Sequence, residues 1–127
     1  WENQVELNKT IEAANGTVVQ SDGERIIADE LTAMGLIFRY DNRFRIIKGY
    51  AIRPDFYLPE LDTYIEYWGM EDNLDYRIGM LEKQKLYQQA GKRLISLYTR
   101  EKPHLGEALR EKLSRLQVAV NQRKETP

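Results

Sequence analysis

Two acidic residues stand in short apolar runs of the sequence, where an acid is least expected. Asp55 lies in residues 53–58 and Glu66 in residues 63–68, and the alternating and aromatic character of these runs predicts two strands joined by a loop. Side chains alternate between the faces of a strand, so the two carboxylates converge if the strands pair with those faces together. An acid is costly to bury unless its charge is compensated, and a divalent cation can do this. The pair therefore predicts a metal site.

The composition limits which metal such a site could hold. The 127-residue chain has no cysteine, which excludes thiolate ligands, and its one histidine, His104, argues against a histidine-based zinc site. Oxygen ligands remain, and they favour magnesium, manganese or calcium. The length predicts one domain, and no apolar run approaches the roughly 20 residues that cross a bilayer, so we expect no membrane partner.

The charges are divided along the chain. Residues 55–75 carry seven acids and no Lys or Arg, whereas residues 39–53 carry five basic residues against one acid. An acidic centre flanked by basic segments is typical of a metal site that also holds a polyanion. The alternative is that both segments are ordinary solvated faces, and the charge pattern alone favours that alternative.

Glu24 is a third candidate acid. The sequence from Ser21 predicts a helix to about Met34, and Glu24 falls on the same stripe as Ile27 and Leu31, at the start of its buried face. Ser21 and Glu24 also have the spacing of a capping box, in which the glutamate side chain reaches back to the N-cap backbone N–H. Capping and a role in the site are both open for Glu24.

Lys83 is the candidate cation. It lies on the apolar stripe of a helix predicted to end at Gly91, between Met80 and Tyr87. A lysine on such a stripe usually extends to water, which is the alternative. Its coincidence with the pair of acids favours a role in the site, whereas the neighbouring Lys85 faces solvent.

The remaining periodicity predicts the elements that must position these side chains. We expect a helix over residues 1–15, strands at 36–40, 44–47 and 93–98, and a last helix at 105–116. Pro54 cannot donate a backbone hydrogen bond, so the strand that carries Asp55 should be an edge strand or fray there.

The order of these elements, with Pro54-Asp55 and Glu66-x-Trp68 on adjacent strands, resembles the PD-(D/E)XK nuclease superfamily. The nearest type is the small restriction-endonuclease-like domain, found alone or attached to DNA helicases. The similar stretch spans about residues 19–116. The resemblance implies an α/β fold with a restriction-endonuclease-like core, a mixed central four-stranded sheet flanked by helices in the order αβββαβα.

The same resemblance implies a division of the chain. Residues 21–117 would be the nuclease-like domain. Residues 1–20 would be an N-terminal helix and lead-in, as at the end of an upstream segment, and residues 118–127 a tail in which 121–127 are expected to be disordered.

The resemblance also implies roles for individual residues. Asp55 matches the Asp of the Pro-Asp motif and Glu66 the acid of the (D/E)-x-K motif, both metal ligands in the superfamily. The backbone carbonyl of Tyr67 would complete the set. Glu24 matches a helix acid that binds the metal directly or through water.

Trp68 departs from the common motif, which has lysine at that position. Relatives with the Glu-x-Trp form carry the lysine on the next helix, which implies Lys83 as the catalytic lysine. The expected function is then hydrolysis of phosphodiester bonds in DNA with magnesium or manganese. If the transfer to Lys83 fails, an inactive relative is the expectation.

The implied partner is DNA, duplex or branched, with single strands also open. The candidate nucleic-acid contacts are Arg43, Arg45, Lys48, Arg53, Tyr57 and Tyr87. Core packing is the alternative for the aromatic residues, and we favour it for Tyr64 and Trp68. A helicase or other fused domain and a second copy of the chain are further candidate partners. The expected location is the cytoplasm, at the nucleoid.

Two rival functions use the same residues differently. A non-catalytic nucleic-acid-binding module would bind DNA without a metal and cleave none. A structural interaction domain would use its exposed end helices, and Asp55 would matter only for stability.

Overall fold

The computed structural model describes residues 9–41, 45–47, 50–69 and 72–125. Its strands are β1 (Ile11–Glu12), β2 (Val18–Val19), β3 (Arg39–Tyr40), β4 (Arg45–Ile47), β5 (Tyr50–Ile52), β6 (Phe56–Leu58), β7 (Thr63–Trp68) and β8 (Arg93–Tyr98). Its α-helices are α1 (Asp22–Ala33), α2 (Leu74–Gln89) and α3 (Leu105–Glu125), and a 3₁₀ helix (Thr99–His104) precedes α3. In the described part of the chain, no helix combines the length and apolar character needed to cross a membrane.

A mixed four-stranded sheet forms the centre, in the order β3-β6-β7-β8. β6 runs antiparallel to both β3 and β7, while β8 runs parallel to β7. A parallel neighbour requires a long crossover, and α2 supplies it. The prediction of an α/β fold with a mixed four-stranded sheet is confirmed.

Strand alternation gives the sheet two different faces. One face packs under α1 and α3 through apolar side chains that include Phe56, Leu58 and Ile65. The other packs under α2, where Tyr57 and Tyr64 form a second, smaller core. Successive residues of β6 and β7 therefore serve different cores, as expected for a sheet covered on both sides.

Local signals set the ends of α1 and α2. The Ser21 side chain caps α1 by accepting from the Glu24 N–H, and the Asn73 side chain caps α2 by accepting from the Tyr76 N–H. Gly35 and Gly91 follow the two helices with positive φ angles, the backbone conformation that glycine adopts at helix ends. α2, which carries Lys83, is thus fixed close to its predicted limits.

The structure differs from the prediction near the N-terminus. The helix predicted over residues 1–15 is wrong for the described part, where β1 and β2 pair as an antiparallel hairpin. Asn15-Gly16 ends a helix in some contexts and forms a hairpin turn in others, and here Gly16 has φ +91° within the turn. Residues 1–8 lie outside the described residues.

Two other elements also have different bounds. The strand predicted to carry Asp55 is interrupted: β5 pairs with β4 in a separate hairpin, and residues 53–55 leave it before β6 begins. Pro54 supplies the reason, because it cannot donate to a ladder. The tail predicted from residue 118 is instead the continuation of α3 to Glu125.

Candidate functional site

The two predicted acids meet where β6 and β7 pair. Phe56 pairs with Ile65, so the residues next to them, Asp55 and Glu66, lie opposite each other. Their carboxyl groups are within hydrogen-bonding reach, and Asp55 Oδ2 also accepts from the Tyr67 N–H at 2.6 Å. Glu66 is only 2% exposed. The structure therefore brings the two carboxyls together, as strand alternation predicts.

Lys83 reaches this pair from α2. Its Nζ lies 2.7 Å from Glu66 Oε1 and donates to the Arg53 carbonyl at 3.0 Å. The Tyr87 hydroxyl, one helical turn further on, donates to the same glutamate oxygen at 2.9 Å. The Lys83 ammonium also lies 5.8 Å from the centre of the Trp68 ring. Lys83 is thus directed into the site and not to bulk solvent.

Burial changes the acidity of the pair. It raises the pKa of Asp55 to about 6, against the lowering effect of the Tyr67 N–H. Burial and then the Asp55 charge raise the pKa of Glu66 to about 8, although Lys83 lowers it. The pKa of the Tyr87 hydroxyl is also raised, first by burial and then by Glu66. Near neutral pH Glu66 therefore holds a proton that a cation could replace, whereas Asp55 is mostly ionised.

Glu24 takes part in the helix cap and lies near Asp55. Its N–H donates to the Ser21 hydroxyl at 3.2 Å, and that hydroxyl donates to its carboxylate at 3.1 Å. Burial and then the negative charge of Asp55 raise the pKa of Glu24 to about 7. The carboxylate therefore lies close enough to the Asp55–Glu66 pair to interact with it while it takes part in the helix cap.

A pocket of about 330 Å³ opens beside the pair, and Asp55, Glu66, Tyr67, Trp68 and Lys83 are among the residues that line it. In the part of the chain that the structure describes, no group of three His, Cys, Asp or Glu side chains is arranged to hold a metal ion. The hydrogen bonds above use one oxygen of each carboxylate, Asp55 Oδ2 and Glu66 Oε1. The second oxygens are hard donors of the type that magnesium prefers.

The donor set fits a small divalent cation. Two carboxyls that are forced together in the interior gain from a positive charge between them. Asp55 and Glu66 would hold the ion, and further ligands would come from Glu24, the Tyr67 carbonyl or water.

The Tyr67 ring packs on Gly23 so closely that a Cβ there would overlap its phenol, which fixes the start of α1 against β7.

Three of the predicted nucleic-acid contacts lie in the interior. Tyr57 and Tyr87 are buried, and the Tyr57 hydroxyl donates to Asp62 at 2.8 Å. The Arg53 side chain is 17% exposed and is ion-paired with Asp41 at 2.7 Å. These placements do not agree with contacts to DNA. Packing against other apolar side chains accounts for the burial of Tyr57 and Tyr87. The predicted burial of Tyr64 and Trp68 is confirmed.

The other three predicted contacts cannot be compared with the structure. Arg43 and Lys48 lie outside the described residues. Arg45 begins β4, of which only the backbone is described. They stay predictions.

Asp41 is a residue that the sequence did not single out. It follows β3 with φ +55°, and its N–H donates to the Asp55 carbonyl at 2.9 Å. Its carboxylate pairs with both Arg53 and Lys9. Asp is common in turns because it adopts the left-handed conformation more readily than most residues. In the sequence, Asp41 therefore indicated only a turn.

Comparisons with protein-family models, with curated proteins and with solved structures found no match to this chain. The molecule is an α/β protein with a mixed four-stranded sheet, and a buried Asp–Glu–Lys cluster lies at one end of β7. Its function has to be inferred from the geometry and charge of those side chains.

Proposed function

We propose that this chain is a metal-dependent nuclease that hydrolyses phosphodiester bonds of DNA. The observation that carries the proposal is the cluster itself: Asp55 and Glu66 lie side by side in the interior, and Lys83 Nζ is 2.7 Å from Glu66. Perturbed acids beside a lysine in a pocket are typical of catalytic sites. The cluster costs stability, which supports a role beyond folding.

Phosphodiester hydrolysis needs an activated water, neutralised charge at phosphorus and assistance to the leaving oxygen. Magnesium or manganese, when bound, would lower the pKa of a water and neutralise phosphate charge. Asp55 and Glu66 would hold the ion by their carboxylates. The Lys83 ammonium orients the attacking water and stabilises the negative charge that develops. Trp68 and Tyr87 limit the access of bulk water to Lys83 and Glu66.

The order of the elements also supports a restriction-endonuclease-like core. Along the chain, the elements that form the sheet and its helices run α1, β3, β6, β7, α2, β8, α3, which matches the order αβββαβα. The β4–β5 hairpin is inserted between β3 and β6. The partner in this proposal is DNA, with a helicase or a second copy of the chain as a further partner, in the cytoplasm at the nucleoid.

Cleavage of a substrate panel tests the proposal. Labelled duplex, single-stranded, flap and nicked DNAs are incubated with magnesium, with manganese or with EDTA. We expect metal-dependent cleavage of at least one substrate, with a loss of about 10²-fold or more in Asp55→Asn and in Lys83→Gln. Lys85→Gln is the matched control, because Lys85 is exposed on the same helix. Full cleavage by the Asp55 or Lys83 variant refutes the assignment.

A second candidate is a non-catalytic nucleic-acid-binding module on the same fold. The ion pair between Lys83 and Glu66 favours it, because an amine that neutralises the glutamate removes part of the need for a metal. This candidate predicts DNA binding that persists in EDTA and no cleavage under any condition. A magnesium-dependent rise in melting temperature separates it from the first, because a specific ligand stabilises the folded state.

A further inference from the structure

The segment that carries Asp55 is held outside the regular strands. Residues 53–55 leave β5 and precede β6, and one backbone hydrogen bond, from the Asp41 N–H to the Asp55 carbonyl, continues the β3–β6 register into this segment. Two contacts of this segment belong to the site: the Arg53 carbonyl accepts from Lys83 Nζ, and the Asp55 carboxylate accepts from the Tyr67 N–H. The position of the lysine and of one acid therefore depends on what holds this short bend.

Asp41 holds the bend at two other points. Its N–H donates to the Asp55 carbonyl at 2.9 Å, and its Oδ1 lies 2.7 Å from Arg53 Nε. Its Oδ2 lies 2.8 Å from Lys9 Nζ. All three side chains of this cluster are mostly buried, so the ion pairs are poorly screened.

The backbone of Asp41 supports the same conclusion. Its φ of +55° lies in the left-handed region, which Asp tolerates better than most residues other than glycine but still adopts at some cost. That conformation directs both the N–H and the carboxylate of one residue to the same bend. Such a conformation persists where surrounding contacts require it.

We infer that Asp41 is a positioning residue for the site: it fixes the Arg53–Asp55 bend and thereby places both the Lys83 acceptor and the Asp55 carboxylate. The inference rests on the proposed function for the roles of Lys83 and Asp55. The claim that Asp41 positions these two side chains can be tested whether or not the chain cleaves DNA. The Asp41 side chain acts through Arg53 and does not contact the groups that would take part in the reaction.

Asp62 provides a matched control. Asp41 and Asp62 are the described residues other than glycine with positive φ, and the Asp62 carboxylate also has a buried partner, the Tyr57 hydroxyl. Asp62 lies in the turn at the opposite end of β6, away from Lys83. A purely structural role for Asp41 predicts that the two Asp→Asn variants behave alike.

The direct experiment measures how readily each lysine reacts with an amine-acylating reagent, read by mass spectrometry on the folded full chain. In the native protein Lys83 should react more slowly than exposed Lys85, because Lys83 is bound to Glu66 and to the Arg53 carbonyl. In Asp41→Asn we expect Lys83 to react several-fold faster, approaching Lys85, and in Asp62→Asn we expect no change. Unchanged Lys83 reactivity in Asp41→Asn, or an equal change in Asp62→Asn, overturns the inference.

Kinetics on the cleaved substrate supply the second measurement. We expect Asp41→Asn to lower kcat by about 10–100-fold, the usual effect of a residue that supports metal ligands, with KM for DNA within about twofold. If the native chain cleaves no DNA, the proposed function fails and the lysine reactivity alone decides the role of Asp41. If Asp41→Asn does not fold, Arg53→Lys tests the same ion pair, with the same outcomes expected in lysine reactivity.

Discussion

The two faces of the central sheet are built from the same strands but have opposite characters. On the face under α1 and α3, Phe56 and Ile65 are fully buried among apolar side chains. On the face under α2, Tyr57 packs in the smaller core, and Glu66 is buried against the Tyr87 hydroxyl and the Lys83 ammonium. One pair of strands thus stabilises the fold through one set of side chains and carries the candidate site on the other.

Neighbouring residues of one strand therefore serve stability on one face and the candidate site on the other. A buried acid with a raised pKa lowers stability near neutral pH, so the apolar face must compensate for the face under α2. Substitutions on the two faces should therefore differ in sign as well as in size.

The largest expected effect is on the apolar face. Phe56→Ala should lower the free energy of unfolding by about 3–5 kcal/mol, because it removes a fully buried ring that packs against Phe38 and Tyr40. Urea unfolding followed by circular dichroism measures it. Tyr57→Phe, on the other face, removes one hydroxyl and should cost only about 1 kcal/mol. Equal costs would show that the two faces do not differ in this way.

The pH dependence of stability comes next. The folded-state pKa values of Glu24, Asp55 and Glu66, about 7, 6 and 8, lie above the ordinary values of 4.5, 3.8 and 4.5. Between these limits the folded chain binds more protons than the unfolded chain, so stability is greatest at the acidic end and is lost as the pH rises. In EDTA we expect a fall of a few kcal/mol from pH 5 to pH 8, measured by urea unfolding. A stability that rises over this interval would contradict the raised pKa values.

Glu66→Gln should reverse the usual sign for a substitution in the interior. Glutamine keeps an oxygen for the Tyr87 hydroxyl but cannot ionise, so at pH 8 in EDTA we expect a gain of about 1–3 kcal/mol over the native chain. The same variant should lose the stabilisation by magnesium and the cleavage of DNA. A loss of stability with magnesium stabilisation intact would indicate that Glu66 serves only the ion pair with Lys83.

The smallest effects concern two glycines. Gly23→Ala should cost about 1–3 kcal/mol, because the added methyl group overlaps the Tyr67 phenol beside the site. Gly79→Ala should instead stabilise the protein by up to about 1 kcal/mol, because Gly79 lies within α2 with open space around it. Melting temperatures of the two variants give the comparison. A similar loss in both would point to a helix effect unrelated to Tyr67.

Local periodicity was sufficient to predict the central cluster. Alternation along two strands placed Asp55 and Glu66 on one face, and helical spacing placed Lys83 on the side of α2 that meets that face. These rules involve neighbours a few residues apart, and tertiary contacts reinforce them. The sequence of helices and strands along the chain follows largely from the same rules, whereas the mixed four-stranded sheet was expected from the resemblance.

Long-range ion pairs could not be predicted in this way. Arg53 looked like a surface cation, but an ion pair with Asp41, in the bend after β3, holds its side chain mostly buried. Asn15-Gly16 is compatible with a helix end and with a hairpin turn, and the pairing of β1 with β2 decided between them. The continuation of α3 beyond residue 116 was missed because the apolar stripe used to predict that helix ended there.

The position of Trp68 gives the protein an optical reporter. Trp68 is two residues after Glu66 on β7, and the centre of its ring lies 5.8 Å from the Lys83 ammonium. Trp1 is the only other tryptophan in the sequence. Any ion that displaces Lys83 from Glu66 changes the electric field at this indole. In a Trp1→Phe background, the wavelength of fluorescence emission would follow occupation of the carboxylate pair in real time, without a substrate or a label.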